Sequence, residues 1–214
     1  MAASPRAPAP AVRESTMPTR PLCIVNPVAA GGRCGRLWPA IRDRLSVALG
    51  PVDHELTAAP LEAARLAREA VASRRSLVVV VGGDGTVNEV VNGLLDRRRA
   101  GPETRLGLVL LGTGGDLARS LDLPRHPAGQ VAVLSRSSPR RIDAGRVTFV
   151  DGNGRAAARD FVNIASFGLS GATGAIVNRR PLVRRLGGRV AFLAAAVEAL
   201  ARHRREPVRV RVDD

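Results

Sequence analysis

The stretch "LVVVVGGDGTVNEVVNGLL", Leu77 to Leu95, decides how the rest of the chain is read. Five apolar residues, Leu77 to Val81, stop at Gly82, Gly83 and Gly85, which surround a single acid, Asp84. Beyond the glycines, Val87, Val90, Val91, Leu94 and Leu95 fall at the i, i+3, i+4, i+7, i+8 spacing of one helical face. The segment reads as a buried strand, a glycine turn and an amphipathic helix. An apolar run without alternation suits a strand covered on both faces, as in a parallel sheet.

The same order repeats on either side. "LCIV" (Leu22 to Val25) reads as a strand, Leu37 to Leu49 as a helix, "VDHELT" (Val52 to Thr57) as a strand and Leu61 to Ser73 as a helix. Downstream, "LGLVLL" (Leu106 to Leu111) precedes a short helix near Asp116 to Ser120. Strands alternating with helices imply crossover units, so the fold class is α/β with a Rossmann-like parallel sheet.

Around Arg140 the texture changes. "RRIDAGRVTFV", the turn "DGNG" (Asp151 to Gly154) and "RDFVNIASFG" read as an antiparallel hairpin. A Gly- and Arg-rich link follows, then a helix from about Arg189 to His203 with Val190, Leu193, Val197 and Leu200 along one face. Pro207 ends it, and "VRVRV" alternates like a strand. The expected organisation is a disordered Pro/Ala-rich tail at 1–20, an α/β unit at 21–140 and a partial β-rich unit at 141–214. The last unit reads as incomplete, because a sandwich needs roughly seven strands and ~100 residues. Met17 offers an alternative start, and the opening lacks the apolar core of a signal peptide.

The formal charge is +14, and every one of the 33 basic residues is arginine. That charge favours anionic partners: phosphates, acidic lipid surfaces or nucleic acid. Aromatics at 2% leave little for base stacking and no nucleic-acid motif is present, which argues against nucleic acid. Two cysteines, Cys23 and Cys34, do not make a disulfide scaffold and suit a reducing, cytoplasmic setting. No apolar run reaches the ~18 residues of a spanning helix.

Three polar turns follow strands at their carboxyl ends: "NPVAAGGRCG", "GGDGTVNE" and "GTGGDLAR". In an open parallel sheet these ends share the ligand-binding edge. Glycine lets backbone N–H groups approach an anion, and a following helix N-terminus adds partial positive charge. Asp84 is itself anionic, so a phosphate beside it calls for Mg²⁺ or its waters between them. The alternative is that these glycines only make tight turns, with Asp84 or Thr86 capping the helix. The dinucleotide fingerprint G-x-G-x-x-G is absent after the first strand, and so is the P-loop pattern.

Together, "NPVAAGG", "GGDGTVNEVVNGLL", "LGLVLLGTGGDLARSLDLP" and "RIDAGRV…FVNIASFGLSG" resemble the diacylglycerol kinase catalytic domain family, which includes bacterial lipid kinases and sphingosine and ceramide kinases. The resemblance runs from about Leu22 to Val212. It implies ATP-dependent transfer of a γ-phosphate to a lipid hydroxyl, with ATP and Mg²⁺ as cofactors. By motif it implies nucleotide contacts at Asn26, Pro27, Ala30, Gly31, Thr57, Gly82, Gly83, Asp84, Gly85, Thr86, Val87, Asn88 and Thr113. Asp84 takes the role of organising Mg·ATP, and no metal ligand set is assigned. The implied partner is a lipid at a membrane surface, met from the cytoplasm; Arg179, Arg180, Arg184, Arg185 and Arg189 are the residues that could meet anionic head groups. A homodimer is compatible with this.

The chain departs from the family pattern at three places. Ala30 stands where the first turn usually has glycine, Leu110 replaces a proline, and Gly115 replaces an asparagine. The family's late acidic cluster and general base are not found, so a C-terminal truncation is expected. Two other readings stay open: a non-catalytic nucleotide-binding remnant, and an NAD kinase, whose family shares "GGDGT".

Overall fold

The computed structural model describes residues 19–96, 104–112, 115–136, 138–166, 168–179 and 188–202. Four parallel strands, β1 (Leu22–Val25), β2 (Asp53–Leu56), β3 (Leu77–Gly82) and β4 (Arg105–Leu110), form one sheet in the order β2-β1-β3-β4. The helices between them are α1 (Arg33–Leu49), α2 (Glu62–Ala72) and α3 (Asp84–Leu94). Two more follow β4: α4 (Asp116–Ser120) and α5 (Pro127–Arg136).

The period-two geometry of a strand sorts the core into two layers. Leu22, Ile24, Val78 and Val80 face α2 and α3, where they meet Leu66, Ala67, Val87, Val90 and Val91. Cys23, Val25, Val79 and Val81 face the other way, onto Cys34, Trp38, Ile41 and Leu45 of α1 and Val131 of α5. Both layers bury apolar side chains, which is why β3 carries no polar side chain. Cys23 and Cys34 are free and buried, and burial pushes their thiols up to about 12 and about 11. They act as small core hydrophobes.

Helix α1 starts at Arg33, four residues before the expected Leu37, and Pro39 lies inside it. The turn of Ala29 and Ala30 supplies the early carbonyls: Cys34 N–H donates to Ala29 and Arg33 N–H to Ala30. A proline that removes one interior N–H does not stop the helix once four buried side chains anchor it.

The second sheet is the expected hairpin, β5 (Gly145–Val150) and β6 (Ala156–Phe161), closed at Asp151–Gly154. Asp151 Oδ1 accepts from Asn153 N–H and Arg155 N–H, both at 2.9 Å, and Gly154 takes φ 76°.

Beyond it, the segment expected as a link contains a helix, α6 (Leu169–Arg179), packed against α7 (Gly188–Arg202). Glycines at 171 and 174 hide this helix from sequence reading. The apolar face read along α7 is not its buried one among the described residues. Ala195 and Ala199 are buried, while Leu193, Val197 and Leu200 are more than 60% exposed. Small residues on both helices pack there instead. The "VRVRV" segment, Arg180, Arg184, Arg185 and the tail to residue 18 lie outside the described residues. Among the described residues no helix is long and apolar enough to cross a membrane.

Helices α2 and α3 touch through Gly93. A Cβ there would lie 2.4 Å from the Ala64 carbonyl oxygen and 2.6 Å from Ala67 Cβ. Gly93→Ala should therefore destabilise the fold by about 2 kcal/mol despite alanine's better helix propensity, read as a lower urea midpoint with an unchanged slope.

Candidate functional site

The chain leaves β1 toward β2 on one side and enters β4 from β3 on the other, so the turns after β1 and β3 flank a topological switch point. Asn26 bridges them. Its backbone N–H donates to the Val81 carbonyl at 2.9 Å and its Nδ2 donates to Thr86 Oγ1 at 3.0 Å. Its Oδ1 accepts from Val28 N–H at 3.2 Å, which folds the turn that follows. Ala30, Gly31 and Gly32 then run through φ of 52°, 65° and 82°, left-handed values that strain only the alanine.

The turn after β3 is built on missing side chains. A Cβ on Gly82 would sit 2.8 Å from Thr86 Oγ1, so Thr86 can bury against the strand end only over a glycine. A Cβ on Gly112 would lie 3.2 Å from Gly83 Cα and 3.6 Å from Asp84 N. The loops after β3 and β4 thus meet backbone to backbone. Helix α3 begins at Asp84 with no side-chain cap, and Gly83, Asp84, Gly85 and Thr86 line a cavity.

That cavity is about 590 Å³, with Asn26, Thr57, Gly83, Asp84, Thr86 and Glu89 in its walls. Glu62 braces its far rim, accepting from Ala58 N–H at 2.6 Å and Ala59 N–H at 3.3 Å. These amides and Arg65 hold the Glu62 carboxyl below its ordinary range. A second cavity, about 190 Å³, lies on the other side of Asp84 and is walled by Val87, Asn88, Leu117, Phe161 and Ile164. Asp84 lines both. No arginine is among the described residues lining either, despite the charge of the chain.

Burial raises the Asp84 carboxyl above its ordinary range, and the Asp116 carboxylate at the start of α4 adds to this. A Gly115 N–H hydrogen bond and Arg119, which pairs with Asp116, oppose it without cancelling it. Among the described residues no group of three or more His, Cys, Asp or Glu side chains converges.

The expected site residues divide between these spaces. Asn26, Ala30, Thr57, Gly83, Asp84, Gly85 and Thr86 line the larger cavity. Pro27 and Gly31 belong to its first turn, and Gly82 is buried beneath it. Val87 and Asn88 face the smaller cavity instead, because they follow Asp84 by three and four positions on the helix. Thr113 lies outside the described residues. Glu89, Gly112 and Asn163 were missed. Glu89 was findable, since it lies three positions after Thr86 on one helical face.

The family model of the diacylglycerol kinase catalytic domain matches residues 20–147, well over half of the chain. The chain belongs to this family. Similar proteins include one from Chromohalobacter salexigens named "Probable lipid kinase YegS-like", 39% identical over 137 residues, covering 63% of this chain and 40% of that protein. A Bacillus subtilis diacylglycerol kinase is 39% identical over 110 residues, covering 50% and 32%. A crystal structure of a diacylglycerol kinase from Bacillus anthracis str. Sterne superposes with a TM-score of 0.51 at 28% identity, covering 64% of this chain and 47% of that one. The chain spans less than half the length of each of these three proteins.

A carboxyl whose folded pKa is raised destabilises the fold once ionised. The native state then holds its proton longer than the unfolded chain, so stability falls as pH rises from the unfolded value of about 3.9 through the raised folded one. Asp84→Asn should raise the ligand-free melting temperature at neutral pH. Calorimetric scans should show that gain shrinking as pH is lowered toward the unfolded value.

Proposed function

We propose that the chain is the nucleotide-binding part of a lipid kinase that transfers the γ-phosphoryl group of ATP to the hydroxyl of diacylglycerol or a related lipid. The observation that carries this reading is Asp84, which stands where a polar cavity and an apolar one meet. Family membership supports it. On this reading residues 21–140 form the nucleotide unit and 141–214 part of the acceptor side, working at a membrane surface.

The phosphates would lie in the larger cavity against the uncapped start of α3 and the backbone of Gly83 and Gly85. Asn26 and Thr86 hold the two turns together and keep those amides aimed. The acceptor hydroxyl would arrive through the smaller cavity, past Val87, Leu117 and Phe161, with Asn88 and Asn163 as its polar contacts. Such a junction aligns donor and acceptor, which is most of what phosphoryl transfer needs from a protein.

Mg²⁺, when bound, neutralises charge on the phosphates. The donor set fits it: Asp84 and Asp116 are carboxylates close enough to interact, Asp116 adding to the burial that raises Asp84. Mg²⁺ commonly takes one or two carboxylates beside substrate phosphates. Asp84 and Asp116 would hold it.

Titrating Mg·ATP into the folded chain should release or absorb heat and raise its melting temperature. Asp84→Ala should lose that stabilisation while keeping the ligand-free fold. Absence of heat with the parent protein would overturn the nucleotide assignment. Radiolabelled ATP offered with dioctanoylglycerol, ceramide, sphingosine and NAD should label a lipid; label in NAD instead would favour an NAD kinase.

A further inference from the structure

Two side-chain amides stand in for missing strand partners. In the parallel sheet, Gln130 of α5 accepts from Leu110 N–H at 2.5 Å and donates to the Leu110 carbonyl at 3.3 Å, pairing the edge of β4. In the hairpin, Asn92 of α3 does the same to β6. Its Oδ1 accepts from Asp160 N–H at 2.9 Å and its Nδ2 donates to the Asp160 carbonyl at 2.8 Å. The first amide caps the edge of the parallel sheet. The second ties the hairpin to a helix.

A two-stranded hairpin is marginal by itself, so what it docks on decides where it stands. Asp160 is held from both sides. Asn92 grips its backbone, while Arg146 of β5 pairs with its carboxylate through two 2.7 Å hydrogen bonds. The residues that follow it, Phe161 to Ile164, form one wall of the smaller cavity. The opposite wall is α3 itself, and Asn92 Nδ2 also donates at 2.8 Å to the carbonyl of Asn88, which lines that wall. One amide therefore touches both walls beyond the end of the space they enclose.

We propose that Asn92 is a positioning residue. By fixing the Asp160 backbone to α3 it sets the width of the smaller cavity, and so governs binding of the acceptor without touching it. The inference rests on the reading of that cavity as the acceptor side.

Three measurements on the full chain test it. Asn92→Ala should raise amide exchange at Asp160 by about tenfold or more while Val78 to Val81 keep their protection. Its affinity for dioctanoylglycerol should fall about tenfold with Mg·ATP affinity unchanged, a split that general destabilisation would not produce. Asn92→Asp keeps the acceptor but sets a carboxylate against two carbonyls, so it should lose lipid affinity near pH 8 and regain it, relative to the parent, near pH 5 as the new carboxyl takes a proton.

Unchanged exchange at Asp160 in Asn92→Ala, or parental lipid affinity in either variant at about pH 8, overturns the proposal. If Asn92→Ala loses protection throughout, Asn92→Asp decides by the same lipid criterion. A parent that binds no nucleotide would sink the proposed function, and exchange at Asp160 would still judge the clamp.

Discussion

Helix α3 can sit where it does only because its neighbours and its own ends lack β-carbons. Gly93 lets the backbone of α2 come within contact, and Gly82 lets Thr86 close over the end of β3. Gly83 and Gly112 bring the next loop alongside. Each contact removes a degree of freedom from the same helix. Close-packed interiors deform little, so its N-terminus is aimed at the switch point with little latitude. The site inherits its geometry from that seat.

Charge operates on two scales here. Over long range, a net +14 attracts anions of any kind. At the site itself, the described linings hold carboxylates and no arginine. On the proposed function, recognition of an anion there would fall to backbone amides, a helix terminus and a cation held by Asp84 and Asp116. This arrangement costs folding energy while the site is empty, because a half-buried carboxylate beside another acid is poorly solvated.

The hairpin and the helices after it follow different rules from the parallel sheet. β5 is exposed along most of its length, and β6 buries chiefly Asp160, an acid. The hydrophobic effect therefore does little to hold them; Asn92 ties the hairpin to α3 by directional bonds, and Arg146 braces Asp160 within the hairpin. Helices α6 and α7 bury threonine and alanine, Thr173, Ala195 and Ala199, small residues that give weak sequence signals.

The parallel sheet was readable from the chain alone. Unbroken apolar runs such as Val78 to Val81 can only be buried on both faces, and helical periodicity between them leaves few topologies. The glycine turns and Asp84 were legible for the same reason, since a flexible residue at a buried strand end needs a local cause. What the chain alone could not disclose was decided by contacts far apart in sequence. Asn92 meets Asp160 across 68 positions, and Asn26 meets Thr86 across 60. Val87 and Asn88 turned to the second cavity because the hairpin supplies its other wall. Local patterns encode which face of an element is apolar; only tertiary packing determines what each polar side chain finds opposite it.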